Sequence, residues 1–331
     1  MRKKYQNGFF IFGITVLLVM LTQLDFREAW EGLRKAGYWF FAVIALWGVL
    51  YIFNTKAWMI IIRCLQKDEP GKHVSFWWLY KMTISGFALN YATPGGLMGG
   101  EPYRIMTLSP KIGTEKATAS VILYVMTHIY SHIWFWFLSV ILYGLTMPVN
   151  VFMGTLLTAV AVFCLFCMWF FIKAYRNGLA MPVMKVLQHL PGLKKWTHRL
   201  MEKHHDSIDL IDQQTKILRK QNPIRYLGAL LVELFVRFAS ALEIMFVLLL
   251  IMPDVNYLQC VLILAFTSLF ANILFFMPLQ LGGREGGFLM SVNGLGMSAS
   301  AGIFVALIIR IRELIWTAIG LLLIKLEKKS K

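Results

Sequence analysis

The chain has 331 residues, of which 58% are hydrophobic and only 15% charged, and its formal net charge is +16 at pH 7. A soluble domain carries about 25% charged residues, and membrane barrels are written in short alternating segments. Both classes are excluded, and the composition points to an all-α integral membrane protein whose clustered Lys and Arg meet anionic lipid headgroups; nucleic acid is not expected as a partner.

The N-terminus, "MRKKYQNGFFIFGITVLLVMLTQL", is basic and then apolar, with no small-x-small cleavage site, and reads as an uncleaved first helix. Hydrophobic segments fall near 8–24, 37–62, 76–92, 118–145, 149–173, 224–251, 258–278 and 300–325, about eight in all. Lys81 interrupts the third, as expected of a position facing water. That segment runs into "TPGGLMGGEPYR", residues 93–104, which suits neither a soluble helix nor a simple span. Pro94, Gly95, Gly96 and Gly100 free backbone groups from helical bonding, and such groups must lie within protein or line a wet cavity. Non-helical N–H groups and helix starts attract anions, so a phosphate headgroup would suit them. Asn90 is placed to cap or brace this loop. Glu101 and Arg104, three apart, share a face if helix resumes after Pro102. Two readings stand side by side: lipid contact by the arginine with the glutamate orienting it or carrying a proton, or a structural clamp.

On the fourth segment His128 and His132 share a face, with Tyr124 one turn earlier. "HIYSH" lacks the Glu of H-E-x-x-H, and two histidines make a poor metal site, so no metal, cofactor or catalytic residue is assigned. A proton relay and a pair of satisfied interior histidines both remain open. Cys164 and Cys167 lie in the apolar run "VFCLFCMWFFI" without a charge to make a thiolate, and read as buried small residues. The polar stretch 174–223 has Ile208, Ile211 and Leu218 at helical spacing, as amphipathic helices on the membrane surface would. Glu233 and Arg237 are one turn apart on the sixth segment and read as a structural pair, with Glu243 beyond. Arg310, Arg312 and Glu313 on the last segment either line the same cavity as the first motif or snorkel at a helix end. Trp77, Trp78 and "WFWF" at 134–137 suit interfacial belts.

Eight simple crossings would put the basic 174–223 stretch outside, against the positive-inside rule. Two re-entrant hairpins, 76–104 and 258–290, place it and both termini in the cytoplasm and leave Asp254 outside. A second feature supports that assumption. "TPGGLMGGEP" and "MPLQLGGREG" align at an offset of 184: Pro94 with Pro278, Gly99 with Gly283, Glu101 with Glu285, and His128 with Arg312. The expectation is one polytopic domain over 1–331, built of an inverted repeat: unit one about 37–145, linker about 174–223, unit two about 221–329.

"GFALNYATPGGLMGGEPYR", then "LGGREGGF" and a closing "RIREL", resemble the flippase-like membrane domain of bacterial lysylphosphatidylglycerol synthases, the UPF0104 family, over about residues 8 to 326. The resemblance implies translocation of anionic, aminoacylated or glycan-linked lipids across the cell's inner membrane. It carries over Asn90, Pro94, Gly100, Glu101 and Arg104 from the first motif and Gly283, Arg284 and Glu285 from the second. Two departures matter. Many members bear an acid-arginine-aspartate cluster on the next helix, where this chain has "ILYVMTHIYSH", so that role is lost or passes to His128. The aminoacyl-transferase domain has no counterpart here, so the chain is not expected to make lysyl lipids. The competing expectations are a membrane enzyme acting on a lipid phosphate and a non-transporting partner of a glycosyltransferase. A homo-oligomer or a lipid-modifying enzyme is the partner expected besides membrane lipid.

Overall fold

A computed structural model describes residues 3–22, 26–66, 73–92, 99–177, 223–273 and 283–326. Among these, eleven helices follow in order: α1 Lys3–Thr22, α2 Phe26–Ala36, α3 Trp39–Leu65, α4 Phe76–Ala92, α5 Gly100–Ile112, α6 Thr114–Thr146, α7 Val151–Asn177, α8 Pro223–Leu248, α9 Tyr257–Ile273, α10 Gly283–Gly294 and α11 Ala299–Leu326. The stretch 178–222, on which amphipathic surface helices are expected, lies outside the described residues.

Helix length sorts these elements. By length and apolar composition α3, α6 and residues Val151–Lys173 of α7 suffice to cross a membrane. Helices α8 and α11, of 26 and 28 residues, are long enough but carry several charges each. At 1.5 Å per residue they span about 40 Å, against a hydrocarbon core of about 30 Å. Helices α4, α5, α9 and α10 have 17, 13, 17 and 12 residues, short of the roughly 20 that a single crossing needs.

The offset of 184 relates eight of the eleven described helices. Shifted by 184, α3 becomes 223–249, α4 260–276, α5 284–296 and α6 298–330, matching α8, α9, α10 and α11 to within a few residues. Buried positions recur too: Leu79 with Ile263, Thr83 with Thr267, Leu108 with Val292, Ala117 with Ala301, and Val121 with Val305. A left-handed glycine turns each short helix into the long one that follows, Gly113 (φ 88°) after α5 and Gly296 (φ 74°) after α10.

Contacts between the halves obey the same exchange. Helix α3 packs on its own counterpart α8, antiparallel along its length: Trp39 meets Phe246, Phe53 meets Phe235, and Asn54 meets Glu233. At the α4–α11 crossing, Gly320 approaches the Ile84 carbonyl so closely that an added Cβ would stand 2.9 Å from it. The equivalent contact, with both numbers shifted by 184 in opposite senses, joins Trp136 to Ser268, and the indole Nε1 donates to the hydroxyl at 2.9 Å.

Two large apolar cores result, with two smaller clusters around Tyr51 and Tyr143 beside them. One gathers Trp58, Ile61, Leu79, Leu89, Leu108, Val121 and neighbours in the first half, with Leu321 and Ile324 of α11. The other gathers Phe135, Ile244, Val261, Phe288, Val305 and neighbours. Phe135 and Trp136 are therefore core residues, so only part of "WFWF" fits an interfacial belt, whereas Trp77 is exposed. Cys164 is buried and Cys167 half-buried, and both are free thiols. Helix α2, amphipathic and set against α11 through Gly32, falls between the apolar runs of the sequence.

Candidate functional site

Charges on helices of membrane length must be paired or hydrated, because a bare one costs several kcal/mol. Among the described residues, the buried charges fall in three clusters inside the bundle.

The first is built by the junction of α4 and α5. The Gly100 N–H donates to Asn90 Oδ1 at 2.7 Å, and Asn90 Nδ2 donates to Glu101 Oε1 at 2.9 Å. One asparagine thus ties the end of α4 to the start of α5. Arg104 NH1 lies 3.5 Å from Glu101 Oε1, one turn away on α5 as the i, i+3 spacing requires. The guanidinium is 1% exposed and sits against Phe87, Trp58 and Tyr124, at 4.8, 5.5 and 5.5 Å from the ring centroids. Each such contact contributes about 0.5–2 kcal/mol, most where water is excluded. Glycine makes room for this packing. A Cβ on Gly86 would strike the Arg104 side chain, and one on Gly100 would strike the Gly86 carbonyl. Glu101 Oε2 and Arg104 Nε are buried without a hydrogen-bond partner.

The second cluster joins α3, α6 and α8. Glu233, 0% exposed, accepts from Asn54 Nδ2 at 2.9 Å through Oε1 and lies 2.8 Å from His128 Nδ1 through Oε2. Arg237 NH2 stands 2.6 Å from His128 Nε2, and its Nε donates to Ser131 Oγ at 3.5 Å. The Glu233–Arg237 pair expected from spacing exists, at 3.8 Å, but is the longer of the glutamate's contacts. His132 follows one turn on, its ring 5.5 Å from that of His128, with Nδ1 buried and unpartnered.

The third cluster joins α8 to α11. Arg312 grips Glu243 with two parallel bonds, Nε to Oε1 at 2.7 Å and NH2 to Oε2 at 2.9 Å, and reaches Glu313 at 3.7 Å. Its guanidinium lies 4.0 Å from the Trp47 ring and, like that of Arg104, is 1% exposed. Arg312 therefore does not snorkel.

Aromatic rings tie the clusters together. Phe87 and Tyr124 touch both Arg104 and His128. Tyr51 touches Phe87 on one side and Trp47 and Trp316 on the other.

Of the residues singled out in the sequence, Asn90, Gly100, Glu101 and Arg104 meet in one cluster, His128 stands beside it, and Arg312 lies beyond Tyr51. Pro94, Gly95 and Gly96 lie outside the described residues. Gly283, Arg284 and Glu285 open α10, where only the backbone is described. Sequence reading missed Asn54, Trp47 and Trp58, and did not join Glu233 to His128 or Glu243 to Arg312. For Asn54, Glu233, Glu243 and Arg312 the available signal was a charge or amide at mid-segment; nothing in the sequence set Trp47 and Trp58 apart from the other aromatic residues. Among the described residues no group of three or more His, Cys, Asp or Glu is arranged to hold a metal.

A family model described as the lysylphosphatidylglycerol synthase TM region matches residues 8–320. A UPF0104 membrane protein of Methanothermobacter thermautotrophicus is 31% identical over 116 residues, covering 34% of this chain and 32% of the relative. The chain thus matches about a third of that relative's length. No solved structure matches.

Proposed function

The chain belongs to the lysylphosphatidylglycerol synthase TM region family, and from that premise we propose that it moves lipid headgroups across the cytoplasmic membrane while their tails stay in lipid. The observation that carries this reading is the inward pairing of charge on α5, α6, α8 and α11. Three polar clusters are held within an otherwise apolar bundle by Glu233–His128, Glu243–Arg312 and Glu101–Arg104. A purely structural bundle of this size gains little from buried ion pairs, which often do no better than apolar packing.

The short pairs α4–α5 and α9–α10 act as re-entrant hairpins from opposite faces, and the two units form an inverted repeat about the α3–α8 crossing. The equal spacing of the helices and the antiparallel run of α3 on α8 support that arrangement. The substrate class is a lipid with a phosphate in its headgroup, whether anionic, aminoacylated or glycan-linked. Arg104 is sealed in the described state, so the headgroup reaches it when the α4–α5 pair shifts against α11.

Reconstitution into vesicles with fluorescent phospholipids tests the reading. Dithionite should bleach inner-leaflet label faster in proteoliposomes than in protein-free vesicles. Glu101→Gln and Arg104→Ala should reduce that rate to the protein-free level while the folded protein remains monodisperse. Equal bleaching with and without protein, over several headgroups, would defeat the proposal.

A further inference from the structure

The two halves differ at one equivalent crossing, and the difference leaves a space in the bundle. Position 320 of α11 has no room for even a Cβ, which would stand 2.9 Å from the Ile84 carbonyl and 2.5 Å from the Ala88 Cβ of α4. The equivalent position 136 of α6 carries an indole, whose Nε1 donates to Ser268 of α9. So α4 and α11 lie backbone to backbone, whereas α6 and α9 are held apart and meet over less of their length. The outer seams differ in the same sense. Helix α1 packs on both α11 and α4, with Gly13 against Leu321, while α7 packs on α6 but hardly on α9. Between α6, α7 and α9 there remains a cleft of about 280 Å³, its open mouth included. Its walls are Ser139 and Val140, Leu157 and Val160, and Ala265 and Leu269. Tyr143, edge-on to Phe266 and packed with Leu157 and Leu262, closes the end near the α6–α7 turn, and Trp136 bounds the other.

We propose that this cleft is a binding site for one acyl chain of a bilayer lipid. Because α9 is one arm of the second short-helix pair, the chain occupies the wedge between that arm and α6.

The lining admits only an apolar guest. The Ser139 hydroxyl donates to the Phe135 carbonyl at 2.7 Å, and the Trp136 N–H is taken by Ser268. Neither polar side chain of the lining is left to give water the several partners it needs. Depth points the same way. Ser139 and Val160 lie about 10–14 Å along α6 and α7 from the turn that joins them, within the stretches apolar enough to cross a membrane. The mouth, marked by the half-buried Val160 and Leu269, opens beside helices that expose Leu156, Phe163, Phe166 and Ile273. Size excludes larger guests. A helix with its side chains is about 10–12 Å across, and small-molecule sites begin at about 300 Å³; a single file of methylenes fits. Lipid tails are as apolar as leucine, so leaving the bilayer gains such a chain little by itself. The gain is dispersion contact with walls that would otherwise face a void. Supply is not limiting, since the bilayer holds acyl chains in large excess over the site.

The test reconstitutes the purified full chain in vesicles of phosphatidylcholine that carries a diazirine midway along one acyl chain. After irradiation the adducts are mapped by peptide mass spectrometry. They should concentrate at Val140, Val160 and Leu269 over Phe163 and Phe166, which are exposed on α7 outside the cleft. Phosphatidylglycerol with the same chain should give the same pattern, because no charged residue lines the cleft. Val160→Trp, which fills the space, should lose the cleft adducts and keep those at Phe166. Leu269→Trp fills it from α9 and serves the same purpose should the first variant fail to fold. Adducts spread evenly over the exposed residues of α7 would overturn the proposal, as would cleft adducts that survive in a folded tryptophan variant or that follow the headgroup. A second copy of the chain as occupant is read separately. Val160→Cys in a cysteine-free background, if it oxidises to a disulfide-linked dimer, would also overturn it. None of these readouts involves lipid movement. A failed dithionite assay leaves the site standing, and an even adduct pattern leaves translocation standing.

Discussion

Arg312 and Glu243 show what a buried charge demands. The guanidinium gives two bonds to one carboxylate, lies over Trp47 and touches Glu313, with almost no water on any side. Removing one partner leaves the other ionised in a dry place, at a cost of about 3–5 kcal/mol. Arg312→Met should therefore lower the thermal unfolding midpoint in detergent markedly. Arg312→Met with Glu243→Leu should recover much of that loss, because apolar packing replaces both charges. A double variant no more stable than the single one would show that the pair is not a mutual neutralisation. This bridge was hidden in the sequence. Glu243 reads as a continuation of the Glu233–Arg237 stripe, and 69 residues separate it from Arg312. The cluster of Asn90, Gly100, Glu101 and Arg104 was legible because its members fall within one turn-and-helix motif, where spacing alone puts side chains together. His128 could be singled out, but its partners Glu233 and Asn54 come from other helices, and only the packing of α3 on α8 brings them to it.

At the scale of the element, glycine sets how near two helices can come. Gly100 opens α5 directly against the Gly86 carbonyl of α4, and its N–H is taken by Asn90. Gly100→Ala would force the two backbones apart and break the brace. Overpacking of this kind costs about 1–3 kcal/mol. The variant should show a lowered melting midpoint and, in the dithionite assay, slower lipid movement than wild type. A midpoint and rate both unchanged would mean that the α4–α5 contact is not needed. The apolar runs showed most helices because a long unbroken stretch of apolar residues is the strongest signal a membrane chain carries. They could not show α2, whose eleven residues alternate charge with Ala29, Gly32 and Ala36 and bury only a narrow stripe on α11. They also joined the loop of the first motif to the segment before it and left α5 unseen as a helix. In α5 the polar residues Glu101, Arg104, Thr107, Ser109 and Lys111 interrupt the apolar ones, and Pro110 lies within it.

Taken whole, the molecule follows the spacing of 184 residues in helix bounds, buried positions and paired contacts. The motif match alone could suggest the repeat; it could not show which helices meet. If the units are inverted, the two equivalent turns, at Gly113 and Gly296, lie on opposite membrane faces. Single cysteines at these positions in a cysteine-free background should react with a membrane-impermeant maleimide from opposite sides, Gly113→Cys from the cytoplasm and Gly296→Cys from outside. Reaction of both from one side would refute the inverted arrangement. The α3–α8 crossing has a mechanical meaning in that arrangement. Phe53 touches Phe235, which stands 184 residues after Tyr51, so each helix meets its counterpart almost at its own equivalent point. If the units are inverted and the chain moves lipid as proposed, that contact would be the fulcrum. A tilt about it would lift one short-helix pair from its bed by as much as it pressed the other down, so that access from the two membrane faces would be coupled as the arms of one see-saw, with no separate gates.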